Sequence, residues 1–90
     1  MFYTYILQCA DNTLYTGWTT DPEKRIATHN EGAGSKYTRT RLPVKLVAHW
    51  CFPTKQEAMR AEYHIKTLTK SQKLAVIQTF PHPSDTGFLP

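Results

Sequence analysis

Cysteine and long apolar stretches are both scarce in this chain. Its two cysteines, Cys9 and Cys51, lie far apart within apolar segments and form no CxxC pair, which favours buried free thiols over a disulfide or a metal site. No apolar run approaches the roughly 20 residues that span a bilayer. Residues 1–7 have no basic region before them and are too short for a signal peptide. These absences predict a soluble protein of the reducing cytoplasm with no membrane partner.

Acidic residues are also few, and basic residues outnumber them. The 90 residues include 11 Lys and Arg against 7 Asp and Glu, so the net charge is +4. A basic balance favours a polyanionic partner such as nucleic acid. With 40% apolar and 20% charged residues, the composition fits one compact domain and excludes a disordered tail protein and a two-domain enzyme.

The N-terminal segment predicts a β-hairpin. Residues 2–9 and 14–18 are rich in aromatic and β-branched side chains, and a polar segment separates them. Because side chains alternate between faces along a strand, Tyr5 and Tyr15 share a face only if the loop has an odd number of residues. A three-residue loop at 11–13 satisfies this condition, whereas a two-residue loop at 11–12 would place the tyrosines on opposite faces.

A helix over residues 22–30 is predicted next. Asp21 is a typical N-cap and Pro22 suits the first helical position. Gly32 and Gly34 end this helix and open a loop through residue 42. The loop is the densest basic segment of the chain, and it contains Lys36, Tyr37, Arg39 and Arg41. Such a cluster fits contact with a nucleic-acid backbone as well as it fits a solvated loop.

A third strand and two further helices complete the predicted domain. Capping boxes at residues 54–57 and 69–72 begin the two helices. The domain is expected to cover residues 1–78, and residues 79–90, which contain prolines, are expected to form a loosely packed tail. The third strand spans residues 44–52, and its alternation predicts one fully buried face that carries Val44, Leu46, Ala48 and Trp50.

The helix after the third strand has an apolar stripe with an acidic residue at its edge. Glu62 lies there, partly desolvated, so its carboxylate requires a partner. The stripe itself consists of Ala58, Ala61, Ile65 and Leu68.

Five polar side chains stand out by their order along the chain. They are Tyr5, Tyr15, Arg25, His29 and Glu62. With the elements Tyr3-Thr4-Tyr5 and Tyr15-Thr16-Gly17, they resemble the GIY-YIG nuclease superfamily, and most closely its small stand-alone bacterial members. In that family an arginine and often a histidine follow on the first helix, and a metal-binding glutamate follows on the helix after the third strand.

The resemblance implies an α+β fold, a three-stranded antiparallel sheet flanked by helices in the order β-β-α-β-α-α. The caps and periodicities described above predict the same order. The resemblance also implies a metal-dependent endonuclease that hydrolyses phosphodiester bonds of DNA, in preference to RNA, in repair or processing. A domain this small leaves little surface for reading long sequences, so branched, flapped or single-stranded substrates are favoured.

The resemblance assigns a role to each candidate residue. Glu62 would hold one Mg²⁺ or Mn²⁺, and Tyr5 or Tyr15 would take the proton of the attacking water. Arg25 would stabilise the transition state, and His29 would orient a tyrosine or contact phosphate. The residues expected to contact nucleic acid are Gly17, Lys36, Tyr37, Arg39 and Arg41.

The chain also departs from its relatives, and other functions stay open. Some relatives have a lysine where this chain has Trp18, and several have an asparagine at the position of Leu74. Without the family spacing, the tyrosines would be ordinary packing residues and Glu62 would be an i, i+4 partner of Lys66. A nucleic-acid-binding module with weak or no hydrolysis, or an adaptor that docks on another protein, would use the same fold.

Overall fold

A computed structural model gives the fold of residues 1–79. Its strands form one antiparallel sheet in the order β2-β1-β3. The elements in chain order are β1 (Phe2–Gln8), β2 (Leu14–Thr19), α1 (Pro22–Asn30), α2 (Lys36–Arg39), β3 (Lys45–Phe52), α3 (Lys55–Lys66) and α4 (Lys70–Thr79). The predicted α+β architecture is confirmed, with α2 as a single added turn inside the predicted basic loop. Residues 80–90 of the predicted tail lie outside the described residues, so the domain boundary stays a prediction.

Two predictions about the whole chain can be compared with the structure. Within residues 1–79, none of the helices combines the length and the apolar character that crossing a bilayer requires. Both cysteines are free, as predicted, although only Cys9 is buried and Cys51 is half-buried.

The helix starts follow from local capping. Asp21 and Thr54 each accept a hydrogen bond from the backbone N–H three residues later, both at 3.2 Å. Thr69 and Gln72 bond each other reciprocally, each side chain accepting from the other's backbone N–H at 3.2 and 2.9 Å. These bonds satisfy N–H groups that have no partner inside a helix. The predicted starts of α1, α3 and α4 are therefore confirmed.

The hairpin places both tyrosines on one face of the sheet. Tyr15 pairs with Leu7, which is two residues from Tyr5, and directly opposed residues of an antiparallel pair share a face. The connection is longer than the predicted loop at 11–13, because the strands are separated by residues 9–13. Asn12 turns the chain there in the left-handed conformation, with φ of 67°. The number of loop residues is odd, so the two tyrosines share a face although the predicted loop bounds are wrong.

A β-bulge divides β3 between the two faces of the sheet. Ile6 of β1 pairs with Ala48, but the next residue, Leu7, pairs with Leu46. Val47 is therefore an extra residue, and an extra residue reverses the face to which the following side chains point. The first part of β3 packs on one face and the second part on the other. The prediction that a single face carries all four alternating apolar residues is wrong, and those residues are Val44, Leu46, Ala48 and Trp50.

Different helices pack on the two faces of the sheet. Helix α3 packs on what we call the α3 face, and Thr4 Oγ1 joins the layers by donating a hydrogen bond of 2.7 Å to the carbonyl oxygen of Ala58. The buried residues of this layer are Ile6, Ala48, Trp50, Phe52, Ala58, Ala61 and Ile65. Helix α1 covers what we call the α1 face, where Ile26 packs against a smaller cluster. That cluster consists of Tyr5, Leu7, Cys9 and Val44.

Candidate functional site

Tyr5 lies at the centre of the α1 face and is almost completely buried, with 1% of its surface exposed. Its hydroxyl oxygen is 2.9 Å from His29 Nε2 and accepts an N–H from Arg25 Nε at 3.4 Å. The ring lies against Gly17, where a Cβ atom would be only 2.5 Å from the hydroxyl oxygen. Gly17 thus leaves the space that the tyrosine fills.

His29 connects Tyr5 to the short helix α2. The imidazole is fully buried, and its Nδ1 lies 2.7 Å from Thr38 Oγ1, which in turn lies 2.9 Å from Ser35 Oγ. Because Arg25 donates to the Tyr5 oxygen, the Tyr5 O–H is free to donate to Nε2, and Nδ1–H then donates to Thr38. A neutral imidazole satisfies this arrangement.

The electrostatics of His29 favour that neutral form. Burial lowers the pKa of His29, and the positive charge of Arg25 lowers it further. Desolvation disfavours the charged imidazolium, and a neighbouring cation does the same. At neutral pH the ring therefore carries one proton and has one nitrogen that can accept another.

The pKa of the Tyr5 phenol is raised, whereas that of His29 is lowered. Burial raises the pKa of Tyr5, and the negative charge of Glu62 and that of Tyr15, once it ionises, add to the rise. The hydrogen bond and charge of Arg25 lower this pKa without cancelling the burial effect. Tyr5 is thus a protonated phenol at neutral pH, and ionising it requires a proton acceptor such as His29 or added positive charge.

A row of rings leads outward from this buried cluster. The Tyr15 ring meets His29 edge-on at 5.2 Å between centroids, and it stacks on Tyr37 at 5.9 Å with 26° between the planes. The guanidinium carbon of Arg41 lies 3.9 Å from the centre of the Tyr37 ring, and Arg41 also pairs with Asp11 at 3.0 Å. The structure thus brings one predicted nucleic-acid contact, Tyr37, next to Tyr15, and a second, Arg41, against Tyr37. The other two basic candidates, Lys36 and Arg39, are exposed on α2.

Glu62 acts on the cluster from helix α3. Its side chain is 20% exposed and pairs with Lys66, the 51% exposed residue one turn later, at 3.4 Å. This is the partner that a partly desolvated carboxylate requires. Its charge also contributes to the raised pKa of Tyr5, so the carboxylate and the phenol are electrostatically coupled although their elements pack on different faces.

The donor set fits a metal that takes few protein ligands. Within residues 1–79 no group of three or more His, Cys, Asp and Glu side chains is arranged to hold an ion, so a closed zinc-type site does not fit. Mg²⁺ usually keeps waters and takes one or two carboxylates together with substrate phosphate oxygens. Glu62 fits that role, because its carboxylate is partly exposed and its partner Lys66 lies on the surface.

Three residues near His29 were missed by the sequence reasoning. Gly34 packs against the imidazole so closely that a Cβ there would collide with the ring, and its carbonyl accepts an N–H from Arg25 at 3.0 Å. Ser35 caps α2 by accepting the Thr38 N–H at 3.1 Å. The available signal was a serine three residues before a threonine, directly after a glycine, which is typical of a helix start.

The chain is similar to known proteins over most of its length. A family model described as the GIY-YIG catalytic domain matches residues 1–75. A UPF0213 protein of Staphylococcus haemolyticus is 59% identical over 76 residues, which cover 84% of this chain and 93% of that protein. A UPF0213 protein of Clostridium perfringens is 57% identical over 79 residues, which cover 88% of this chain and 85% of that protein.

Two solved structures share the fold. The solution NMR structure of a UPF0213 protein from Bacillus halodurans is 50% identical, with a TM-score of 0.58 over 88% of this chain and 85% of that one. The solution NMR structure of a protein from E. faecalis is 43% identical, with a TM-score of 0.60 over 88% of this chain and 84% of that one.

Proposed function

Because the chain belongs to the GIY-YIG catalytic domain family, a nuclease superfamily, we propose that it is an endonuclease that uses a divalent metal to hydrolyse phosphodiester bonds. DNA, rather than RNA, is the proposed substrate, in repair or processing within the cytoplasm. The observation that carries the proposal is the bonding of one phenol, Tyr5, to a neutral imidazole and a guanidinium. The charge of a carboxylate on another element, Glu62, also reaches that phenol.

Proton removal from the attacking water is the step that the buried cluster supports best. As Tyr5 takes a proton from water, its own proton can move along the 2.9 Å contact to His29 Nε2. The hydroxide then attacks phosphorus, and the leaving oxygen takes a proton from solvent. His29 suits the acceptor role because its lowered pKa keeps it neutral beforehand. Tyr15, half-buried on the outer side of the same imidazole, is the second candidate base.

Arg25 and a metal ion held by Glu62 would share the stabilisation of negative charge in the transition state. Arg25 has five N–H donors and uses its Nε on Tyr5 and one terminal nitrogen on Gly34, so further donors are available to phosphate oxygens. Loss of such a donor typically slows a reaction by roughly 10²- to 10³-fold. Glu62 would hold a single Mg²⁺ or Mn²⁺ together with substrate oxygens, and the chemistry supplied there when the ion is bound is positive charge at the developing oxyanion.

The direct test is cleavage of labelled duplex, flapped, branched and single-stranded DNA and RNA with Mg²⁺ or Mn²⁺. Glu62→Gln should abolish metal-dependent cutting, whereas Glu57→Gln, which removes an acid from the first turn of the same helix, should retain it. Loss of cutting in Glu62→Gln, purified in the same way, also excludes a contaminating nuclease, and an EDTA control checks that the cutting depends on metal. Equal cutting by wild type and Glu62→Gln, or no cutting of any substrate, would contradict the proposal and favour a binding module without hydrolysis.

The base is assigned by pH–rate profiles of Tyr5→Phe and Tyr15→Phe. The variant that lacks the base should lose most of its rate and the associated pH dependence. If both variants cut as fast as the wild type, a tyrosine base is wrong.

A further inference from the structure

A groove runs along the outer side of β2, the edge strand, and reaches the candidate site. Two cavities of about 250 and 370 Å³ share walls here, and the larger one falls at the lower end of the range for small ligand pockets, about 300 to 1,000 Å³. We call this the β2-edge groove, and its lining includes Trp18, Thr19, Thr20, Asp21, Lys24 and Arg25. Arg25 belongs both to the groove and to the Tyr5 cluster. Arg25 therefore links the groove to the site.

The charge of the groove suits an anionic ligand. Lys24 and Arg25 both line it, and Arg25 has N–H donors beyond the two that bond Tyr5 and Gly34. The same wall holds one acidic residue, Asp21, which caps α1 by accepting the backbone N–H of Lys24 at 3.2 Å, so two cations outnumber one carboxylate in the groove. Phosphate groups are the anions that such a cationic strip typically binds.

Trp18 adds an aromatic surface at one end of the groove. The residue is half-buried, and Lys55 Nζ lies over its ring, 5.4 Å from the ring centre. Phe2 holds the ring from the side, with 6.4 Å between ring centroids. An indole beside cations is a surface on which a nucleic-acid base can stack. Bases inside a duplex are already stacked on their neighbours, so this surface suits an unpaired base.

We propose that the β2-edge groove binds an unpaired segment of the substrate strand next to the cleaved bond. One base would stack on Trp18, and the adjoining phosphates would lie against Arg25 and Lys24. This inference rests on the proposed function and narrows its substrate to flapped, overhanging or single-stranded DNA, in preference to a fully paired duplex.

Tryptophan fluorescence tests the groove without requiring cleavage. The chain has two tryptophans, and Trp50 is fully buried, whereas Trp18 lines the groove. Oligothymidylate and a blunt duplex of equal length are titrated into the protein with EDTA present. The single strand should quench the emission, and Trp18→Phe, in which Trp50 is the remaining emitter, should lose the quenching. The duplex should bind more weakly.

Affinity gives the second readout. Trp18→Ala should raise the Kd for oligothymidylate by roughly 5- to 150-fold, the loss typical of one stacked base, and Trp18→Phe should raise it less. The matched control is Tyr63→Ala, which removes an aromatic side chain that is 73% exposed on α3 and should leave the Kd unchanged. Thermal unfolding checks each variant. If Trp18→Ala is unfolded, protection of wild-type Trp18 from acrylamide by the strand decides the question.

The failures of the two proposals are distinguishable. The groove proposal is refuted if the single strand binds without changing the Trp18 emission and if Trp18→Ala leaves the Kd unchanged. This holds even if Glu62-dependent cleavage is observed. If thymidine monophosphate quenches the emission at the same concentration as the strand, the groove binds a mononucleotide, and the proposal of a strand-binding site is wrong. No binding of any nucleic acid overturns both proposals together.

Discussion

Two buried threonines on the α3 face predict opposite results for the same substitution. Thr4 and Thr16 are 0% and 2% exposed, and Thr16 shares this face because it pairs with Ile6. The Thr4 hydroxyl donates to the Ala58 carbonyl at 2.7 Å, whereas the Thr16 hydroxyl has no hydrogen-bond partner within the part of the chain that the structure describes. Replacing threonine with valine removes the hydroxyl and keeps the β-branched shape that suits a strand.

The expected changes in the free energy of unfolding follow from these contacts. A buried hydroxyl without a partner costs roughly 1–3 kcal/mol, so Thr16→Val should raise the free energy of unfolding by about 1 kcal/mol. Thr4→Val should lower it by about 1 kcal/mol, the net value of one hydrogen bond, because the Ala58 carbonyl keeps its intrahelical bond in α3. A difference of about 2 kcal/mol corresponds to melting temperatures roughly 8–16 °C apart for a domain of this size.

Urea unfolding followed by circular dichroism measures both variants against the wild type. Equal m-values would show that only stability has changed, because m reports the surface exposed on unfolding. If Thr16→Val destabilises the domain as much as Thr4→Val does, the Thr16 hydroxyl contributes a favourable interaction and the reasoning is refuted.

Two further predictions concern the buried cluster. Gly17→Ala should lower the free energy of unfolding by about 2 kcal/mol, because the new Cβ would lie 2.5 Å from the buried Tyr5 hydroxyl oxygen; urea unfolding in a Tyr5→Phe background, which lacks that oxygen, should show a smaller loss. The pKa of His29 is lower in the folded protein than in the unfolded chain, where it is about 6.5. The free energy of unfolding should therefore keep its full value above about pH 6.5 and should fall as the pH drops from there toward the folded pKa, because the unfolded chain then binds more protons. His29→Gln should flatten this decline in pH-dependent denaturation, whereas the exposed-site control His64→Gln should keep it, and equal slopes in all three proteins would contradict the prediction.

Features that depend on neighbouring residues could be predicted from the sequence. The starts of α1 and α4 follow from Asp21 and from the Thr69–Gln72 pair, because a cap needs only residues within one turn. The shared face of Tyr5 and Tyr15 follows from the parity of the loop. The prediction of a shared face is correct although the predicted loop bounds are wrong, because any odd number of loop residues places the two tyrosines on the same face.

Features that depend on pairing with distant segments could not be predicted. The alternation of residues 44–52 is equally regular with or without a bulge, and only pairing with β1 reveals the extra residue Val47. In the site, the family spacing predicts Arg25 and His29, but no sequence pattern predicts the bond from His29 to Thr38. Helix α2 has four residues, which is too short to produce a helical period.

The coupling of Glu62 to Tyr5 has a consequence for the chain during its synthesis. The groups proposed for catalysis come from the hairpin, from α1 and from α3, and α3 lies on the opposite side of the sheet from the phenol. No contiguous fragment shorter than residues 5–62 contains all of them. A nascent or partly unfolded molecule of the proposed nuclease would thus be unable to cut nucleic acid, and activity would begin only when both sides of the sheet are covered.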